Sequence, residues 1–422
     1  MLTRGRAAAA VAVGSIIALT SSMAASAAPA MPGARAGRPA AARIPSSAKR
    51  RLISETLGAW QITKGAGATV AVLGTPIDAV TGLAGKVTYG PDFAPLAGAP
   101  ATDSTVLASL IAGSGPTAAN PFGTVGRAPA ARILAERIVD YNGGRGATRY
   151  QQDGRWQAIM ARAIRYAVNH GASVIVPFES GYADTAALDS AVQYAISKNV
   201  VVLGTDSAFG GTQNGPMYPD SLPGVINFSG VTISGLPKPP KSVRSPVNNS
   251  ILVAAPDNIL FATGPGNASY YAYGNYSATA WVAGTVALIK SVYPQITPAE
   301  VALALADSAS YHPAGGYNTT IGFGLINPLG ALHAATGLLK LHRTASPGQG
   351  SVAANARFST AMPGVIDAVQ NSPIELGLYG AAIVVGVILL AVAAQLNRKR
   401  RRRGALASAA PVSDADQASA VG

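Results

Sequence analysis

A chain of 422 residues with no cysteine, 12% charged residues and a formal charge of +13 can bury one large core and must hold it without disulfides. Two of the charges fall within the first six residues, six form one cluster near the end, and two aspartates offset them in the tail, so residues 28–375 carry only +7. That excess is thinly spread and forms no lysine–arginine stripe, which excludes an obvious phosphate-binding face and any expected nucleic-acid partner.

The two ends read as targeting segments. Basic residues at Arg4 and Arg6, an apolar run from Ala7 to Leu19 and the small-residue pattern Ala25-Ser26-Ala27 predict a signal peptide over 1–27. Leu376 to Asn397 carries no charge and is rich in Val, Ile, Leu and Ala, as long as a bilayer-spanning helix of roughly 20 residues requires. Arg398-Lys399-Arg400-Arg401-Arg402-Arg403 follows at once, a stop-transfer cluster that places the tail over 398–422 in the cytoplasm. The expected protein is therefore exported and held in the cell membrane by a single span at 376–397, with its larger domain outside.

Between the ends, residues 28–53 are mostly an Ala-, Pro-, Gly- and Arg-rich lead-in, and the folded ectodomain is expected over 54–340. Leu52 to Ile62, with Trp60, reads as a short helical approach. Thr69 to Gly74 is a continuous apolar run bounded by glycines, the pattern of a strand buried on both faces. Ser104 to Ala112 has helical spacing, Ala131 to Ile138 reads as a strand, and Tyr141 to Arg155 as a surface loop. Trp156 to Asn169 is a helix ended by His170-Gly171, Ala172 to Val176 a strand, Ala187 to Ser197 a helix, and Val200 to Leu203 another strand. Strands at 225–231 and 251–255 precede the long helix that ends before Pro294, and Thr297-Pro298 starts one more. Strands alternating with helices predict an α/β fold with three layers, a doubly wound and mainly parallel sheet covered on both faces. Residues 341–375 return to Ser, Gly, Pro and Ala and read as a linker to the span.

The stretch Gly274-Asn275-Tyr276-Ser277-Ala278-Thr279-Ala280-Trp281-Val282-Ala283-Gly284 resembles the nucleophile segment of subtilases, Gly-Thr-Ser-x-Ala-x-Pro-x-Val-x-Gly. Six further segments resemble subtilase landmarks in the same order: Gly65 to Thr75, Thr105 to Gly113, Arg127 to Ala131, Pro223 to Ile226, Ala254 to Asp257, and Gly322 to Asn327. With the expected signal peptide and basic-flanked span, the chain is most similar to the mycosins, membrane-anchored subtilases that accompany type VII secretion. The resemblance implies the subtilisin-like fold and, as partners, membrane proteins of a secretion system.

It also implies an altered site. Serine hydrolysis needs a hydroxyl nucleophile, an imidazole to carry its proton and a carboxylate to orient the imidazole. By resemblance the aspartate position falls on Gly74, the histidine position on Asp103 and the serine position on Tyr276. The oxyanion-stabilising asparagine falls near Asp206, where a carboxylate would repel the developing charge. The expectation is a subtilase-like pseudopeptidase acting as a binding or scaffold module. The alternative is an active endopeptidase with a non-standard site, for which Ser277 is the fallback nucleophile, although one helical step of about 100° turns it off the cleft. Tyr276 either fills the cleft with its hydroxyl directed at Asp103, or faces solvent while Asp103 caps its own helix. Asp78 reads as a turn residue, and none of the four histidines occupies a triad place. No metal-ligand spacing and no phosphate loop is present, so neither cofactor nor metal is expected.

Overall fold

The computed structural model describes residues 44–344 apart from 46, 95–99, 119, 140–154, 182, 206–216, 235, 237 and 240–247, together with 386 and 390–395. The expected signal peptide, the 345–375 part of the linker, the basic tail and all but a few residues of the expected span lie outside them. Among the described residues no helix is long and apolar enough to cross a membrane.

The sheet is built from strands that are apolar on both faces. β1 (Thr69–Gly74) is central, paired in parallel with β3 (Arg132–Arg137) on one side and β4 (Val174–Pro177) on the other. β2 (Val87–Asp92) adds to β3, and β5 (Val201–Val202) to β4, giving the order β2-β3-β1-β4-β5. Leu203 then bridges in parallel to Ile226, beside β6 (Asn227–Val231), which pairs in parallel with β7 (Ile251–Pro256). Alternation along β1 shows why such a run must be apolar throughout. Val70 and Val72 pack into one buried cluster, while Ala71 and Leu73 pack into the cluster on the other face.

Helices cover both faces, as the alternating pattern predicts. α3 (Arg155–Asn169) and α4 (Ala186–Ser197) lie against the Ala71–Leu73 face, through Trp156, Met160, Ile164, Leu188 and Val192. α2 (Thr102–Ala112) and α5 (Asn275–Val292) lie on the other, with Leu107, Ile111, Val282 and Val286 fully or almost fully buried. α5 is buried from Ser277 to Lys290, which only a helix of small and apolar residues allows. α6 (Pro298–Ser308) starts with a capping box, Thr297 accepting from the Glu300 amide and Glu300 accepting from the Thr297 amide. α7 (Pro328–Thr344) closes the domain.

Three details differ from the sequence reading. The first helix, α1 (Ser47–Ile62), starts inside the segment read as lead-in, and Ile44, Ala48 and Leu52 are core residues. Its buried positions are Ala48, Leu52, Thr56 and Ala59, while Ile53, Leu57 and Ile62 are exposed, so the apolar pattern marks the buried face weakly. β2 went unread because its side chains are half-buried or exposed and Gly90-Pro91 interrupts it. The hairpin of β8 (Leu260–Thr263) and β9 (Ser269–Ala272), antiparallel and separate from the main sheet, was also unread.

Candidate functional site

The positions singled out by resemblance meet at the carboxyl ends of β1 and β4, where open parallel sheets place their sites. The register sets this up: Leu73 pairs with Pro177, so Gly74 and Phe178 leave the sheet at the same level, and the Phe178 amide donates to the Leu73 carbonyl at 2.8 Å. α2 delivers Asp103 from its first turn, and α5 delivers Tyr276 from its own. The entry to α5 turns at Gly274, whose φ of 63° favours glycine, and its amide is fixed by the Asp257 carbonyl.

The Tyr276 hydroxyl donates to Asp103 Oδ1 at 2.6 Å. The Phe178 ring packs on the Tyr276 ring, with centroids 5.3 Å apart and planes tilted by 60°. Burial, the bond to Asp103 and the nearby charges of Asp103 and Glu179 raise the phenol well above its ordinary pKa, so it stays a donor. The helix-capping alternative for Asp103 is not taken: the N-cap of α2 is Ala101, without a side-chain bond, and Asp103 sits inside the first turn. A negative charge there still suits the helix dipole.

Beneath this pair the space beside Gly74 is filled. A Cβ at position 74 would stand 2.4 Å from Ser104 Oγ and 3.0 Å from Phe178 Cβ. Ser104 is fully buried, and its hydroxyl has no hydrogen-bond partner among the described residues, while its amide donates to Thr75 Oγ1 at 3.1 Å. Glu179, next along from Phe178, is almost fully buried. Burial first, and the Asp103 charge second, push its carboxyl up to about 7. Beyond it Ser180 donates to Asp220 Oδ1 at 2.5 Å and Thr205 to Asp220 Oδ2 at 3.1 Å, with the two hydroxyls 2.6 Å apart. Burial pushes Asp220 up to about 6 against those bonds. Asp206, the residue after Thr205, lies outside the described residues.

The other sequence candidates are elsewhere. Ser277 is fully buried and its hydroxyl has no partner among the described residues, in keeping with a side chain turned off the cleft. His170 stacks on Tyr166 with centroids 3.6 Å apart, and His312 Nδ1 lies 2.7 Å from the Phe323 carbonyl. His333 and His342 lie on α7. Asp78 accepts from the amides of Ala79 and Gly266, as a turn residue does. Among the described residues no three His, Asp or Glu side chains cluster as metal ligands would.

The structure thus brings Tyr276 and Asp103 together, as one of the two alternatives had it, with Gly74 close by, and it adds Ser104 and Glu179 to the site. The signal for Glu179 was a charged residue directly at the carboxyl end of a buried strand. Chemically the cluster offers a phenol donor, two carboxyl groups and aromatic surface, with neither an imidazole nor an accessible aliphatic hydroxyl beside them among the described residues.

The model of the peptidase S8, or subtilase, family matches residues 104–324. Thermitase of Thermoactinomyces vulgaris is 32% identical over 237 residues, covering 55% of this chain and 78% of thermitase. Mycosin-1 of Mycobacterium tuberculosis is 27% identical over 326 residues, covering 65% of this chain and 70% of mycosin-1. Among solved structures, the serine protease MycP1, described as an essential component of the type VII (ESX-1) secretion system, aligns with a TM-score of 0.55 at 28% identity, over 70% of this chain and 90% of that one.

Proposed function

The chain belongs to the subtilase family, and from that premise we propose that it is a membrane-tethered, exported pseudopeptidase of mycosin type that binds or scaffolds instead of cutting. The observation that carries this reading is the bond from Tyr276 to Asp103 at 2.6 Å. Where hydrolysis needs a hydroxyl beside an imidazole, a phenol is tied to a carboxyl group and packed under Phe178. Gly74 supplies no carboxylate to orient a base, and Ser104 fills the room in which one would stand.

Likeness to mycosin-1 and MycP1 supports a place beside type VII secretion proteins at the membrane, with the domain outside and the 398–422 tail in the cytoplasm. The span at 376–397 and the signal peptide at 1–27 belong to this proposal. For an active peptidase with a relocated site the fallback nucleophile is Ser277, which is fully buried and whose hydroxyl has no hydrogen-bond partner among the described residues.

A fluorophosphonate probe on the purified full chain tests the reading. No labelling is expected. Labelling that disappears in Ser277→Ala would overturn it.

A further inference from the structure

We propose that the β8–β9 hairpin is a self-association surface, on which two copies of this chain pair their β9 strands antiparallel about a twofold axis. The hairpin has one covered edge and one open edge. On the β8 side the Thr263 amide donates to Ser109 Oγ at 3.1 Å, and the Thr263 hydroxyl lies 3.0 Å from that of Thr124. On the β9 side no further strand follows among the described residues.

The register says which backbone groups face outward. Gly264 donates to the Ala268 carbonyl at 2.9 Å, whereas the next amide on that strand, Thr263, turns away to Ser109. Antiparallel ladders alternate, so Ala262 and Tyr270 form the next bonded pair, and the amides and carbonyls of Ser269 and Tyr271 point away from β8. A twofold axis at Tyr270 would set Ser269 of one copy opposite Tyr271 of the other, each satisfying the other's outward groups. Tyr270 itself packs inward beside Gly264, leaving the contact to its neighbours.

Side chains and charge select the same partner. Tyr271 and Phe261 are 67% and 66% exposed and pack on each other at 5.0 Å, an aromatic pair standing in solvent. Phe122, 83% exposed, sits on the turn that Thr124 bonds to β8. Uncovered strand edges are usually guarded by lysine, proline or a bulge, and Ser269-Tyr270-Tyr271-Ala272 has none of these. Residues 258–289 and 104–126 contain no charged residue, within a region, 28–375, that carries +7. Two copies can meet on the strands of this face with little like-charge repulsion, Asp78 standing at the hairpin turn on the Gly266 amide. Aromatic residues with charge depleted are also the composition of interface centres.

The test uses the purified full chain in detergent micelles, with mass measured by sedimentation. A dimer is expected at micromolar concentration, and Tyr271→Lys should be monomeric because it sets a like charge on both copies. The chain has no cysteine of its own. A mixture of Ser269→Cys and Tyr271→Cys copies should therefore give a disulfide-linked mixed dimer under mild oxidation. Both positions are exposed, so these variants should keep the wild-type circular dichroism. A monomeric wild type overturns the proposal. So does a dimer that survives Tyr271→Lys and forms no mixed disulfide, since its contact would then lie elsewhere, for example in residues 376–397.

Discussion

The hydroxyl of Tyr276 and Oδ1 of Asp103 are 2.6 Å apart, joining the first turns of α5 and α2 across 173 positions of sequence. Both helices pack on the same face of the sheet, so the bond staples two core elements at the mouth of the cleft. Tyr276→Phe removes the donor and keeps the ring on Phe178. It should cost about 1.5–3 kcal/mol in urea unfolding, the range for a hydrogen bond to a charged acceptor. Asp103→Ala leaves the phenol without its acceptor and should cost at least as much. Each single substitution breaks the same bond, so the double variant should be clearly less destabilised than the sum. Additive effects would mean that the two residues are not coupled.

Refilling of the space beside Gly74 predicts that reinstating an aspartate will fail sterically. Gly74→Asp drives a Cβ to 2.4 Å from Ser104 Oγ, in a core where Leu73 and Phe178 cannot yield freely. Overpacking of this kind costs about 1–3 kcal/mol, and a newly buried carboxyl adds to it. Ser104→Gly removes the obstructing hydroxyl, which has no partner to lose. Gly74→Asp should therefore be less destabilising in a Ser104→Gly background than in the wild type. An equal penalty in both backgrounds would show that Ser104 is not what fills the site.

What could be read in advance follows from how burial writes itself into sequence. β1, β4 and β7 are buried on both faces, so continuous apolar runs mark them with little ambiguity. β2 and the β8–β9 hairpin carry exposed side chains and a Gly-Pro or Pro-Gly step, and β2 pairs with a strand far along the chain. The Tyr276–Asp103 contact was legible because resemblance placed both positions at one cleft. Ser104 and Glu179 were not, because their burial comes from the level at which β1 and β4 leave the sheet. A serine after an aspartate reads as a helix start whether or not its hydroxyl fills a hole left by a glycine 30 positions earlier.

Three buried carboxyl groups predict a domain that is more stable in mild acid than in mild alkali. Glu136 on β3 is 1% exposed, and neither carboxyl oxygen has a hydrogen-bond partner among the described residues. Burial raises its pKa from 4.5 to about 8. Glu179, at about 7, and Asp220, at about 6, are shifted the same way and also chiefly by burial. A raised carboxyl keeps its proton in the folded state after the unfolded chain has released it, so the unfolded state binds fewer protons across the window between the two values. Stability is then fully present below about pH 4 and falls as pH rises toward about 8. Lys290, lowered to about 8 from 10.5 by burial, acts only above that window and with the opposite slope. Urea unfolding at about pH 5 and about pH 8 should show a loss on the order of 1–3 kcal/mol for the wild type. Glu136→Gln keeps the shape without the titration, so it should remove about half of that slope and be more stable than wild type at the alkaline end. A wild type whose stability holds or rises between the two conditions would sink the prediction, as would an unchanged slope in Glu136→Gln.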